Sequence, residues 1–119
     1  MIKVIIAGSR TFNDYELLAK ICDHMLCNQD EVEIVSGKEP KGADRLGELY
    51  AEEKGYRITD FPAYWGEFGN AAGPMRNKQM AEYADALIAF WNGDTIKSGT
   101  YNMIQIAKSM GLKVKVCEY

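Results

Sequence analysis

The run Ile2-Lys3-Val4-Ile5-Ile6-Ala7 is nearly continuous in apolar residues. That is the pattern of a strand covered on both faces, which occurs almost only in parallel sheets packed between helices. Parallel strands need a long crossover between them, so a chain that begins this way commits to strands alternating with helices. Val32-Glu33-Ile34-Val35, the segment Tyr56 to Phe61, the apolar run Ala84 to Phe90 and the segment Leu112 to Cys117 read as four more strands. Between them lie helical patterns. Asn13 with Glu16 three residues on resembles a capping box and opens a helix reaching about Cys27, with Leu18, Ile21, Cys22 and Met25 on one face. Ala43 to Lys54 is the second helix, closed by Gly55, and Gly47 inside it demands close packing to offset its cost. Gly73-Pro74 starts a third, and Ser98-Gly99-Thr100 a fourth that Gly111 closes. The expectation is one α/β domain over residues 1–119, a doubly wound, five-stranded parallel sheet with helices on both faces.

A length of 119 residues suits one such domain. The formal charge of -3 argues against a broad nucleic-acid footprint, so any anion site must be local. Cys22, Cys27 and Cys117 are an odd set without zinc-ligand spacing, with His24 the single histidine, so free thiols and no metal are expected. The first apolar run is too short for a signal peptide, and no later run could span a bilayer; a cytoplasmic protein without membrane contact is the expectation.

In a doubly wound sheet, ligands sit beyond the carboxyl ends of the strands. Four polar, glycine-rich turns fall at that edge: Gly8 to Arg10, Ser36 to Gly42, Gly69 to Asn77 and Trp91 to Thr100. The second has the glycine spacing of half a Walker A loop, but Ala43-Asp44 stands where Lys and Ser or Thr would be needed, which argues against a P-loop nucleotidase. Gly37 and Gly42 either permit a tight turn or let a phosphate approach the backbone. Arg76 and Lys78 fall in the first turn of the helix after Pro74, where the helix dipole disfavours cations, so an anionic ligand is expected against Arg76. Lys78 reads as solvated or paired with Glu82. The long segment before that helix carries Tyr64, Trp65 and Phe68, able to cover a planar ligand.

Gly8-Ser9-Arg10, the turn Ser36-Gly37 to Lys41-Gly42-Ala43-Asp44, Ala72-Gly73-Pro74-Met75-Arg76-Asn77, the run Met80 to Trp91, and Ser98-Gly99-Thr100 resemble the YspA-like, YpsA-related branch of the SLOG superfamily. The resemblance covers nearly the whole chain. It implies a Rossmann-like fold, kinship with Lonely Guy phosphoribohydrolases and DNA-processing protein A, and a nucleotide-derived ligand, often in phage or bacterial stress settings. It also implies ligand contacts at Gly8, Ser9, Arg10, Ser36, Gly37, Lys41, Gly42, Asp44, Arg76, Asn77, Gly99 and Thr100, and a homodimer. No further cofactor is implied. Two departures stand out. Gly37-Lys38-Glu39-Pro40 replaces a short Gly-Gly-Ala-type turn, and Gly99-Thr100 is followed by Tyr101, Asn102 and Met103 where Lonely Guy enzymes carry glutamates.

Three functions fit these residues. A sensor or processing module that binds a phosphorylated nucleoside needs only the glycines, helix N-termini and arginines. An N-glycosidase or phosphoribohydrolase needs a carboxylate beside the anomeric carbon, for which Asp44 and Glu48 are the catalytic candidates. Each also has a plain structural role, Asp44 toward the helix dipole and Glu48 as a solvated residue. Single-stranded nucleic acid could stack on Tyr64, Trp65 and Trp91, but the acidic balance argues against it.

Overall fold

The computed structural model describes residues 1–93 and 98–119. Five strands, β1 (Ile2–Gly8), β2 (Val32–Ser36), β3 (Arg57–Asp60), β4 (Ala86–Trp91) and β5 (Lys113–Glu118), form one parallel sheet in the order β3-β2-β1-β4-β5. The central strand is the one with the continuous apolar run. Its alternate residues feed two cores: Val4 and Ile6 pack with Leu18, Cys22, Leu26 and Tyr50, while Ile5 and Ala7 pack with Met80, Ala81, Met103 and Ile104. Helices α1 (Tyr15–Leu26) and α2 (Ala43–Lys54) therefore cover one face, and α4 (Ala72–Tyr83) and α5 (Gly99–Ser109) the other. Each fully buried Leu, Ile or Met stabilises the fold by about 1.5 to 3 kcal/mol, so both layers are needed. The α/β, Rossmann-like architecture expected from the sequence is the one observed.

Gly47 of α2 explains how closely the first layer packs. A Cβ there would lie 2.8 Å from Cγ2 of Ile6, so the helix backbone rests directly on β1. Gly55 ends the same helix in the left-handed conformation, its N–H turned back to the Ala51 and Glu52 carbonyls.

Several boundaries differ from the sequence reading. The N-cap of α1 is Asp14, whose carboxylate accepts from the Leu17 N–H at 3.0 Å, not Asn13. Its buried stripe runs Leu18, Cys22, Leu26 at four-residue intervals, leaving Met25 exposed. The segment expected to be an irregular loop holds a short helix, α3 (Trp65–Phe68), and a 3-10 turn (Gly69–Ala71) that runs straight into α4. As a result α4 begins at Ala72, and Pro74 is its third residue, where a missing N–H still costs nothing. Residues 94–97 of the turn expected over Trp91 to Thr100, Asp94 among them, lie outside the described residues.

Among the described residues, no helix is long and apolar enough to cross a membrane. The three cysteines are free thiols, and burial pushes Cys22 up to about 12, which makes it an inert core residue.

Candidate functional site

The strand order reverses direction between β1 and β4, the place where doubly wound sheets open a crevice. There the ends of the two strands lie side by side, Gly8 paired with Phe90, and the Ser9 N–H donates to the Phe90 carbonyl at 3.1 Å. A cavity of about 800 Å³ opens at this point. Its wall includes Ala7, Gly8, Ser9, Arg10 and Thr11 from the end of β1, Asn92 after β4, Gly73, Pro74, Arg76 and Asn77 from the start of α4, and Ser98 to Met103 from the start of α5. The volume is within the usual range for a small-molecule site.

Of the sequence-derived ligand residues, Gly8, Ser9, Arg10, Asp44, Arg76, Asn77, Gly99 and Thr100 meet on this wall. Ser36, Gly37, Lys41, Gly42 and Glu48 are not among its lining residues. The turn after β2 has its own reasons for glycine. Gly42 holds φ 78, and a Cβ on it would stand 2.2 Å from the Ser9 carbonyl, so this glycine lets the β1 and β2 turns touch. Ala43 N–H then donates to that same carbonyl at 3.3 Å. A Cβ on Gly37 would lie 2.6 Å from a terminal nitrogen of Arg76 and 2.9 Å from Asp44 Oδ2. The two glycines thus make room for protein groups. Ser36, buried, donates to Glu48 Oε2 at 2.7 Å, and Glu48 also meets Arg45 at 3.4 Å and Lys38 at 3.7 Å. Lys41 and Lys78 are exposed.

Arg76 is 9% exposed in spite of its charge. Its Nε donates to Asn77 Oδ1 at 2.9 Å, one terminal nitrogen donates to the Gly37 carbonyl, and the other stands 3.8 Å from Glu39 Oε1. With α4 starting at Ala72, Arg76 belongs to the second turn of the helix, so the dipole argument for an anion against it loses its footing. What holds the guanidinium is the Gly37 carbonyl and Glu39 of the β2 turn, together with Asn77 of its own helix. Asp44, also buried, accepts from the Glu39 backbone N–H at 3.4 Å. Burial pushes its carboxyl up to about 7; the Arg76 charge and that N–H pull against the rise, and Glu39 and Glu48 add to it. An acid near half-protonation therefore stands in the cavity wall at neutral pH.

Glu39 completes the charged cluster. Its carboxylate lies 3.2 Å from Arg10 Nε and accepts from a terminal nitrogen of the same arginine at 3.4 Å. In the sequence it stood only as part of a departure from the family turn. Carboxamides are the other group that sequence reading missed: Asn70, Asn92, Asn102 and Gln105 join Asn77 on the wall. Asn77 Nδ2 donates to Asn102 Oδ1 at 2.8 Å and to the Gly99 carbonyl at 3.3 Å, which ties α4 to α5. The three-residue steps Gly99, Asn102, Gln105 along one helix face were a signal available for this group. Of the expected aromatic covers, Trp65 lines the cavity, its ring 3.0 Å from where a Cβ of Gly73 would be. Tyr64 borders a separate, shallower hollow with Asp60, Pro62 and Tyr83, and Trp91 packs against Tyr101 with ring centroids 5.6 Å apart. The three rings do not line one surface.

A model of the YspA, cpYpsA-related SLOG family (YAcAr) matches residues 2–68, more than half of the chain. The chain belongs to this family. SLOG membership points, in general terms, to a nucleotide-related ligand. The match to the SLOG model takes in Gly8 to Arg10, the whole β2 turn and Asp44, whereas the α4 and α5 sides of the cavity, with Arg76, Asn77, Gly99 and Thr100, lie beyond it. No curated protein and no solved structure matched the chain.

Proposed function

We propose that this SLOG domain binds a phosphorylated nucleoside in the crevice at the carboxyl ends of β1 and β4, as a sensor or processing module. The observation that supports it best is the make-up of the cavity wall, where two arginines and the starts of two helices stand beside a carboxamide-rich surface. Arginine suits phosphate, carboxamides suit the polar edges of a base or the hydroxyls of a sugar, and Trp65 offers a ring face. Thermal melts with nucleosides and their phosphates test this reading. A nucleotide at a hundred times its Kd should add about 2.7 kcal/mol of stability, and the matching nucleoside clearly less. Equal shifts from the two would remove phosphate from the proposal.

Turnover is a second reading, favoured by the raised carboxyl of Asp44 in the cavity wall. A carboxyl half-protonated near neutrality can deliver a proton to a departing base, the step an N-glycosidase requires. Asp44 suits that role better than Glu48, whose oxygens are engaged by Ser36, Arg45 and Lys38. Incubation with nucleoside monophosphates should then release free base, and Asp44→Asn should stop the release while binding persists. Chromatography that finds no base across a broad nucleotide panel would leave the sensor reading.

A further inference from the structure

The charged side chains on the cavity wall, among the described residues, are Arg10, Arg76, Asp44 and Glu39. Two cations face two acids, so these four described side chains, fully ionised, sum to zero. Arg76 is tied down by Gly37 and Asn77, and its buried position leaves it little freedom. Arg10 is different: its side chain is 67% exposed, and the partner it has is Glu39.

Glu39 is held in place by an unusual backbone. Lys38, just before it, adopts φ 63, a left-handed conformation that costs a non-glycine residue free energy and tends to mark functional turns. The conformation is fixed from several sides. The Lys38 N–H donates to Ser36 Oγ at 3.0 Å, its Nζ lies 3.7 Å from both Glu48 and Asp60, and the Glu39 N–H is taken by Asp44. A carboxylate is thus presented to both arginines from a turn that is otherwise anchored.

We propose that Glu39 determines how strongly this site takes an anion: its carboxylate occupies Arg10 in the free protein, and a ligand phosphate binds by taking its place. The inference rests on the phosphorylated-nucleoside reading above. An ion pair whose arginine is this exposed is weak even with Glu39 mostly buried, and a phosphate offers Arg10 more charge and more acceptor oxygens than a carboxylate does. The exchange is therefore favourable, yet Glu39 subtracts from the affinity of every anionic ligand and from that of no neutral one.

Titration calorimetry with the four common nucleoside 5′-monophosphates and their nucleosides tests this on the parent, Glu39→Gln, Arg10→Gln and the double variant. Glu39→Gln should tighten the monophosphate roughly three- to ten-fold and leave the nucleoside unchanged. In the Arg10→Gln background the same substitution should give no such gain. A Glu39→Gln protein that binds the monophosphate no better than the parent overturns the inference, and one that loses nucleoside and monophosphate alike would make Glu39 a direct acceptor of ligand hydroxyls. A parent and variant that both bind the two ligands equally would remove the phosphate reading, and this inference with it.

Discussion

A guanidinium that is nine-tenths buried must have its donors met, and Arg76 donates to the Gly37 carbonyl and to Asn77, with the Glu39 carboxylate 3.8 Å away and the charge of Asp44 nearby. The sequence placed this cation in the first turn of its helix, with an anionic ligand expected against it. In the structure α4 begins two residues before Pro74, and the side chain turns into the β2 turn. Arg76→Ala should cost about 2 to 4 kcal/mol in urea unfolding, since it strands a buried carbonyl and leaves Asp44 without its cation. Asp44 itself gives a pH signature. Between about pH 4 and 7 the folded chain keeps a proton on Asp44 that the unfolded chain has lost, so this group makes stability fall as pH rises through that window and adds no slope above it. The drop is on the order of a few kcal/mol, at up to about 1.4 per pH unit. Subtracting the pH profile of Asp44→Asn from that of the parent should isolate it, and superimposable profiles would mean that Asp44 stays ionised.

At the scale of elements, the alternation of apolar runs and helical patterns was enough to read the sheet and its four long helices. Burial on both faces leaves a continuous signal, which β1 and β4 carry. What the sequence concealed was local. The short α3 and the 3-10 turn have no buried residues and so no periodicity to read, and the start of α4 moved with them. The glycine-rich β2 turn was legible as a turn at the correct edge, but glycine leaves no trace of what approaches it, and here it is Arg76, Asp44 and the Ser9–Arg10 backbone. Two substitutions separate these roles. Gly47→Ala should destabilise by about 1 to 2 kcal/mol, the strain against Ile6 outweighing the gain in helix propensity. Gly42→Ala should cost more, because φ 78 and the clash with the Ser9 carbonyl add together. If Gly42→Ala melts with the parent, the two turns are not packed as described.

For the whole molecule, the sheet order places the crevice. Reversal between β1 and β4 opens one crevice at the carboxyl edge, and eight of the twelve ligand residues expected from the sequence line it, drawn from segments as far apart as Gly8 and Thr100. The carboxamides and Glu39 were not legible, since such residues are common on any surface and only the fold gathers them. This crevice, rather than the hollow beside Tyr64 or the face covered by α1, is the proposed seat of the phosphorylated nucleoside. The most direct measurement is an amide chemical-shift titration of the labelled protein with nucleoside monophosphates. Saturable shifts should concentrate at Ser9, Arg10, Arg76, Asn77 and Thr100, and be much weaker with the unphosphorylated nucleosides. Saturable shifts clustered around Asp60, Tyr64 and Tyr83 instead, or no shifts with any monophosphate, would contradict it.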